Sequence, residues 1–410
     1  MRAAASDLRR GGETRSRSAR GFAPVLTVWA AWLVLMCGTN LATPLYAVYR
    51  QRFGFSSLVL TTVFAAYALA LVPSLVLFGQ LSDRLGRRAV LLMGLGTGCL
   101  GLVLFAFASG TAWLYGARVM QGLAVGMTSG AATAALVELD PDRDARRAAL
   151  LAGLAQSLGS GAGPVVAGVL AQWAPAPERL CFLLLLAATV GAAALVARIS
   201  EPASGAGGLW RITWPSVPRE IRSQFARVSV TAATLWAAAA LFLSVVPSYA
   251  GDLLSTSDLA LLGALAALVL GASCVAQVAS RRRLTARAGQ PLGLALLALG
   301  LLALVLASPF PSLALLLAGA LLAGTGHGIG FLGAQDELNR IAPGDRRGEV
   351  TAAFISCIYL VVASSVVGVG LLDLRLSLAA SVDAVACVLG VTALATAAWQ
   401  LAARQSAAPV

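Results

Sequence analysis

Few side chains in this 410-residue sequence stand where they could move a proton or hold a counter-ion inside an apolar run. Arg118 lies alone in LYGARVMQGLAVGMTSGAATA (114–134), with Gln121 and Gly122 three and four residues on, hence on the same face of a helix. His327 is the lone histidine, in GTGHGIG, and Asp383 is the one acid well inside an apolar run. Asp83, Arg84, Arg87 and Arg88 crowd into GQLSDRLGRR (79–88), while Glu138 and Asp336 stand at the ends of two other apolar runs. Charges so placed are expensive in an apolar medium and mark proton, ion or substrate pathways. None forms a nucleophile–base pair or a His, Cys and Asp ligand cluster, so neither an enzyme nor a metal site is expected. No G-x-x-x-x-G-K-[ST] loop is present to cradle a nucleotide, and no cofactor is expected.

The elements that must position these groups follow from composition. Hydrophobic residues make up 59% of the chain and charged ones 12%, about half the charged share of a soluble domain. A helix needs roughly 20 apolar residues to span a bilayer. Such runs lie at about 24–48, 58–79, 89–109, 112–136, 148–172, 180–198, 228–250, 257–279, 291–309, 311–334, 350–372 and 377–400. They are continuous rather than alternating, which selects helices over a barrel. All 30 basic residues are arginine; 25 fall in the N-terminal tail, the even-numbered loops and the C-terminus, and only Arg50, Arg52, Arg179 and Arg375 in the odd loops. That bias predicts both termini on the cytoplasmic side, and it accounts for the net charge of +12 without nucleic acid. The six cysteines fall in six different spans, where they read as small buried hydrophobes.

The longest polar interruption, at about 199–227, reads as a cytoplasmic linker. It divides the chain into a tail (1–22), a six-helix unit (23–198), the linker (199–227), a second six-helix unit (228–401) and a short tail (402–410). The halves echo each other at an offset of 200: Gly126 with Gly326, Gly130 with Gly330, Arg146-Arg147 with Arg346-Arg347, and Gly168 with Gly368. Internal duplication is common among transporters, whose substrate site lies near the midplane between repeats.

Three motifs carry a resemblance to a known family. Gly79, Leu81, Asp83, Arg84, Gly86, Arg87 and Arg88 form G-x-L-x-D-R-x-G-R-R between the second and third spans, which resembles the signature loop of the major facilitator superfamily. Arg118, Gln121 and Gly122 match its R-x-x-Q-G pattern in the fourth span. Gly159, Gly163, Pro164 and Gly168 resemble G-x-x-x-G-P-x-x-G-G of the drug:proton antiporter branch, with Ala167 in place of one glycine. The resemblance implies an all-α membrane protein of twelve transmembrane helices in two pseudo-symmetric six-helix bundles. It makes the loop around Asp83 a cytoplasmic latch, in which Arg87 lies one helical turn from Asp83 and takes Glu138 as its acidic partner. It also links Arg118 to proton movement and the span-five motif to export. Small residues at that spacing let helices approach closely, with Gly263, Ala267 and Gly271 of span eight as a matching face. The second half departs from the pattern, with Arg283 where the offset would put the acid.

Candidates for the substrate cavity are Asn40, Tyr67, Trp236, His327, Phe331, Gln335 and Tyr359, polar or aromatic residues in apolar spans. Each taken singly is more readily an interhelical hydrogen bond or a packing contact than a ligand contact; as a set, about half are expected to line the cavity. Drug antiporters often carry an acid in the first span, where this chain has Asn40, so the proton carrier is sought among Asp383, Glu138, Asp336 and His327. Asp383, in the twelfth span, could also serve only to hydrogen-bond within the membrane. The expected function is secondary active transport by alternating access: proton-coupled efflux of small, partly hydrophobic molecules across an inner or plasma membrane, by a monomer surrounded by lipid. The alternative is an importer or uniporter of a sugar, organic acid or other metabolite.

Overall fold

The computed structural model describes residues 22–78, 81–201, 215–281, 283–343 and 346–405. Most of the N-terminal tail, the centre of the linker, Gly79 and the last residues of the C-terminal tail lie outside them. Twelve long helices follow in order: α1 (Phe22–Phe53), α2 (Ser57–Phe78), α3 (Arg87–Ala106), α4 (Thr111–Glu138), α5 (Ala145–Trp173), α6 (Leu180–Val196), α7 (Arg222–Ser244), α8 (Leu259–Ser280), α9 (Ala286–Leu306), α10 (Leu313–Ile341), α11 (Arg347–Leu372) and α12 (Leu378–Gln405). No strand occurs among the described residues. Eleven of the helices are long and apolar enough to cross a membrane, and α6 is a shorter apolar helix of 17 residues. At 1.5 Å per residue α6 is about 25 Å long, the lower limit for a span.

The packing is duplicated. In the first half α4 packs on α2 and α3, and α3 on α6; in the second α10 packs on α8 and α9, and α9 on α12. The halves meet through α5 on α8 and α2 on α11, which exchange under the same operation. Close backbone approaches give the register. Gly122 and Gly126 lie against the carbonyls of Tyr67 and Leu71, and Gly324 and Gly328 lie against those of Val269 and Ser273. Gly168 lies against Leu259 and Ala260, and Gly370 against Leu58 and Thr61. These equivalences are 202 residues apart, not the 200 expected from coincident residues. Between α3 and α9 the spacing is 199, as Gly101 against Ala117 and Gly300 against Gly319 show. The difference is the loop: eight residues separate α2 from α3, but five separate α8 from α9.

Both halves open with a broken helix. In α1 the helix stops near Asn40, tightens into a 3-10 turn at Thr43–Leu45, and resumes as Tyr46–Phe53. After α7 the chain breaks at Val245 and continues as Val246–Leu253. Each break carries a proline, Pro44 or Pro247, which removes one N–H from the ladder. The sequence repeats there as P-L-Y-A (44–47) and P-S-Y-A (247–250), and Tyr46 and Tyr249 are both fully buried.

Loops alternate between an arginine-rich and an arginine-poor end. At the arginine-poor end one continuous apolar core runs through both bundles, with Leu41, Tyr46 and Leu60 from the first and Leu241, Tyr249 and Leu262 from the second. Toward the arginine-rich end the first bundle has a core of its own, built on Val28, Leu91, Ala132 and Ala155.

Candidate transport site

The α1 break fixes the first polar cluster. With the ladder interrupted, the Thr43 N–H bonds to Asn40 and leaves the Thr39 carbonyl without its usual donor. Arg118 on α4 supplies one: Nη1 donates to Thr39 O at 2.5 Å and to Gln121 Oε1 at 3.1 Å. Gln121 Nε2 in turn donates to Gly38 O at 2.6 Å. The guanidinium lies over the rings of Phe64 (4.6 Å) and Tyr67 (5.1 Å), a cation–π arrangement. Arg118 is 1% exposed, and all these partners are neutral. It therefore carries an interior positive charge stabilised by dipoles and aromatic faces, pointing into protein rather than snorkelling out. Gly122 allows the α2–α4 approach that brings Phe64 and Tyr67 over it.

Asn40 pins α1 to α5. Pro164 has no N–H for the Ser160 carbonyl one turn back, and Asn40 Nδ2 donates to that carbonyl at 3.4 Å. Gly159 and Gly163 lie against the α1 backbone around Leu33 and Cys37, whereas Pro164 and Gly168 lie against Gly263 and Leu259 of α8. The motif thus has two faces, one within its bundle and one across to the other. At its end Gln172 Oε1 accepts from the Leu259 N–H at 3.0 Å, joining the bundles at the first turn of α8.

In the second bundle three predicted residues come together. Trp236 (α7) stands edge-on to His327 at 4.7 Å and to Phe331 at 5.5 Å, and the two α10 rings stack at 5.6 Å. His327 Nδ1 lies 2.8 Å from Ser273 Oγ on α8, which accepts from Gln277 Nε2 at 3.1 Å. His327 Nε2 is buried without a partner. Tyr67 and Tyr359 meet edge-to-face at 6.0 Å across the α2–α11 contact. Gln335 is exposed and joins neither cluster. Asp383 sits near the arginine-poor start of α12, which packs on α9 and α7 rather than on the first bundle.

At the arginine-rich end a four-residue helix (Ser82–Leu85) precedes α3. Asp83 belongs to it, although its side chain lies outside the described residues; Arg84 is half-buried. The expected helical turn from Asp83 to Arg87 is interrupted, because Gly86 takes φ +90° and ψ 155°, a conformation open to glycine alone. Arg87 Nε and Nη2 donate to Glu138 Oε1 at 3.2 and 3.0 Å, and its Nη1 to Ser82 Oγ at 2.7 Å. Glu201, just past α6, accepts from the Arg88 N–H at 3.1 Å, capping the first turn of α3. A Cβ at Gly86 would stand 2.6 Å from the Glu201 carboxyl carbon. Arg88 Nη1 also donates to Ile199 O at 3.1 Å. In the next such loop Arg147 donates to Asp140 through Nε and Nη2, both at 2.7 Å, and this fork holds the Asp140 carboxyl below the usual range.

Sequence reading missed a buried network inside the second bundle. Glu337 accepts from Arg227 Nη2 at 3.2 Å and from Gln290 Nε2 at 2.5 Å. Gln400 Nε2 donates to Gln290 Oε1 at 2.7 Å and to Thr231 Oγ1 at 2.9 Å. It ties α7, α9, α10 and α12 together and gives the bundle a rigid arginine-rich half. A polar residue in an apolar run was the available signal; Gln400 carries it at the end of the 377–400 run, and Gln290 stands just ahead of the 291–309 run.

A membrane-embedded pair of duplicated six-helix bundles, each with a broken first helix and a polar centre, defines a secondary transporter fold. The sequence profile of the Major Facilitator Superfamily matches residues 28–368, and the chain belongs to that family. It is therefore an integral, multi-pass membrane protein of a transporter family. It is 36% identical over 115 residues to the Triacylglyceride transporter of Mycobacteroides abscessus, covering 28% of this chain and 22% of the relative. It is 32% identical over 168 residues to the human Vesicular acetylcholine transporter (40% of this chain, 31% of the relative) and 36% identical over 107 residues to the Multidrug efflux pump LfrA of Mycolicibacterium smegmatis (26% and 21%). The chain thus spans less than a third of each of these relatives. In fold it is similar to a D-xylose-proton symporter, with TM-score 0.75, 15% identity, and 92% and 97% of the two chains covered.

Proposed function

We propose that the protein is a secondary active exporter that moves small, partly hydrophobic molecules out across a cell membrane in exchange for protons, by alternating access. The arginine-rich end is cytoplasmic, following the positive-inside bias. The observation that carries the direction is the α5 motif. Gly159 and Gly163 seat α5 on α1, while Pro164 and Gly168 press on α8 at the arginine-poor end, so one helix seals that end when the other is open. An exporter loads from the cytoplasm with the far side shut. The relative named as a multidrug efflux pump supports the same direction. Substrate is held between the bundles, with Arg118, Gln121 and Tyr67 on the first-bundle side and Trp236, His327, Phe331 and Tyr359 on the second. The loop around Asp83 latches the cytoplasmic end in the outward-open state, with Arg87 and Glu138 holding its shape.

Proteoliposomes enclosing a pH-sensitive dye test this under an imposed pH difference, with a panel of uncharged, anionic and cationic amphiphiles added outside. Compound-dependent proton release is expected from the parent. Asp83→Asn is expected to abolish it while the protein remains in the membrane, and unchanged transport in that variant would remove the latch role. If no compound releases protons, but a labelled sugar or organic acid accumulates with an inward proton gradient, the export reading fails and metabolite uptake replaces it.

A further inference from the structure

The centre of the second bundle carries more information than its apolar character suggests. His327 is the middle residue of α10, fourteen residues from either end. Ser273 Oγ accepts from Gln277 Nε2, and His327 Nδ1 is the acceptor within reach of its own hydroxyl hydrogen; that pairing puts the imidazole proton on Nε2. The network thus orients an N–H donor, on a side chain 1% exposed, toward a partner that the protein does not supply. Leaving such a donor unpaired is costly unless something else accepts from it. Two aromatic rings flank it. Trp236 is half-buried on α7, whose most apolar stretch is 78% buried inside the protein, the highest share of any span.

The charges around this centre are of one sign. The helices that meet at the bundle interface or carry these clusters (α1, α2, α4, α5, α7, α8, α10 and α11) carry no acid in their central turns; their acids lie toward the arginine-rich ends, and Asp252, Asp258 and Asp373 flank α7, α8 and α11 at the arginine-poor end. Glu138 is tied to Arg87, Glu337 to Arg227 and the half-buried Glu349 to Arg346, and the exposed Asp336 lies within two turns of the end of α10. On α10 the nearest acid is nine residues from His327, about 14 Å along the axis. Against these stands Arg118, buried in the membrane interior with neutral partners only. A lipophilic cation at the centre would find no carboxylate, and an unpaired charge there is strongly disfavoured.

Resting on the transport reading above, we infer that the site takes uncharged or anionic amphiphiles and excludes cations. A flat apolar or aromatic body lies against Trp236 and Phe331, and a carbonyl, carboxylate or sulfonate oxygen accepts from His327 Nε2. The positive interior set by Arg118 favours the anion over its neutral analogue.

Three probes of one shape test this: 2-naphthylacetate, 2-naphthylacetamide and 2-(2-naphthyl)ethylamine. Each is equilibrated by dialysis against the full-length protein in detergent, with empty micelles as the blank. The acetate and the acetamide are expected to bind at least tenfold more tightly than the amine. His327→Leu is expected to weaken both about tenfold and leave the amine unchanged, whereas His327→Gln, which keeps an N–H donor, retains most of the affinity. An amine that binds as tightly as the acetate overturns the inference, as does acetate affinity indifferent to His327→Leu, or no binding by any probe. The proton-release assay separates the two readings, because release evoked by cations alone would leave export standing and sink the charge preference.

Discussion

Gly168→Ala should unlock the arginine-poor end. A Cβ at Gly168 would stand 3.2 Å from the Ala260 Cα and nearer still to the Leu259 carbonyl oxygen, both backbone atoms that no rotamer change can move. Carbon atoms prefer separations of about 3.5–4.0 Å, so α5 and α8 must part by several tenths of an ångström or more. Overpacking of this kind costs about 1–3 kcal/mol. The cost falls only on the conformation in which this end is closed. At 1.4 kcal/mol per factor of ten it shifts the equilibrium toward the parted conformation by roughly 5- to 150-fold. The Gln172 to Leu259 hydrogen bond lies a turn beyond and would open with it. Ala267 on α8, 8% exposed and across from Gly161, reports the change when replaced by cysteine. Its labelling by a membrane-impermeant maleimide should accelerate by that factor in Gly168→Ala, relative to the Ala267→Cys chain with Gly168 intact. A rate within twofold of the parent would refute the reasoning, since the closed end would then not depend on this contact.

Arg118→Lys keeps the charge but loses the planar fork that serves Thr39 and Gln121 beneath the Phe64 ring, so the proton-coupled flux proposed above should fall below about a tenth of the parent; retained flux would mean that charge alone is required. Asn40→Leu strands the Ser160 carbonyl, at about 1–3 kcal/mol, and should lower the thermal midpoint read by a thiol-reactive dye. Adding Pro164→Ala, which restores the missing N–H, should recover part of that loss. Asp140 has its carboxyl held low by Arg147, so its contribution is fully present above the unfolded value of about 3.9 and is lost as pH falls through the folded value. Asp140→Asn should therefore be less stable than the parent at pH 7, and the difference should close under acid. A gap that persists unchanged once acid has protonated the folded Asp140 carboxyl would assign the effect to packing instead.

The transporter fold was legible because bilayer crossing imposes long apolar runs, and the arginine distribution leaves their order unambiguous. Register was not legible. Coincident glycines and arginine pairs suggest 200, but the helix contacts give 202 for most of the repeat and 199 for α3 and α9, where the loop is three residues shorter; in a glycine-rich chain coincident residues are a poor guide to which backbones touch. The repeated P-x-Y-A at 44 and 247 gives a better anchor, because each proline forces a break that the fold must accommodate at the same depth in both halves.

The polar contacts divide in the same way. Arg118 and Gln121 stand out as polar residues in an apolar run, yet their partners are backbone carbonyls freed by a distant proline, which no side-chain pattern reveals. Glu201 is harder still: it sits in the linker, 113 residues from the Arg88 amide that it caps, and reads there as one more solvated charge. Only Gly86 hints at it, since a left-handed glycine ahead of a helix opens room that some side chain must fill. The two ends of the molecule consequently rely on different physics. The arginine-poor end closes by backbone contact between small residues, which tolerates no added atom. The arginine-rich end is shaped by carboxylates that ion-pair with Arg87 or cap an N-terminus, which tolerates rearrangement as long as charges stay paired. Alternation between two such ends needs no symmetric latch, and the α8–α9 loop, three residues shorter than the loop that carries Asp83, is consistent with that division.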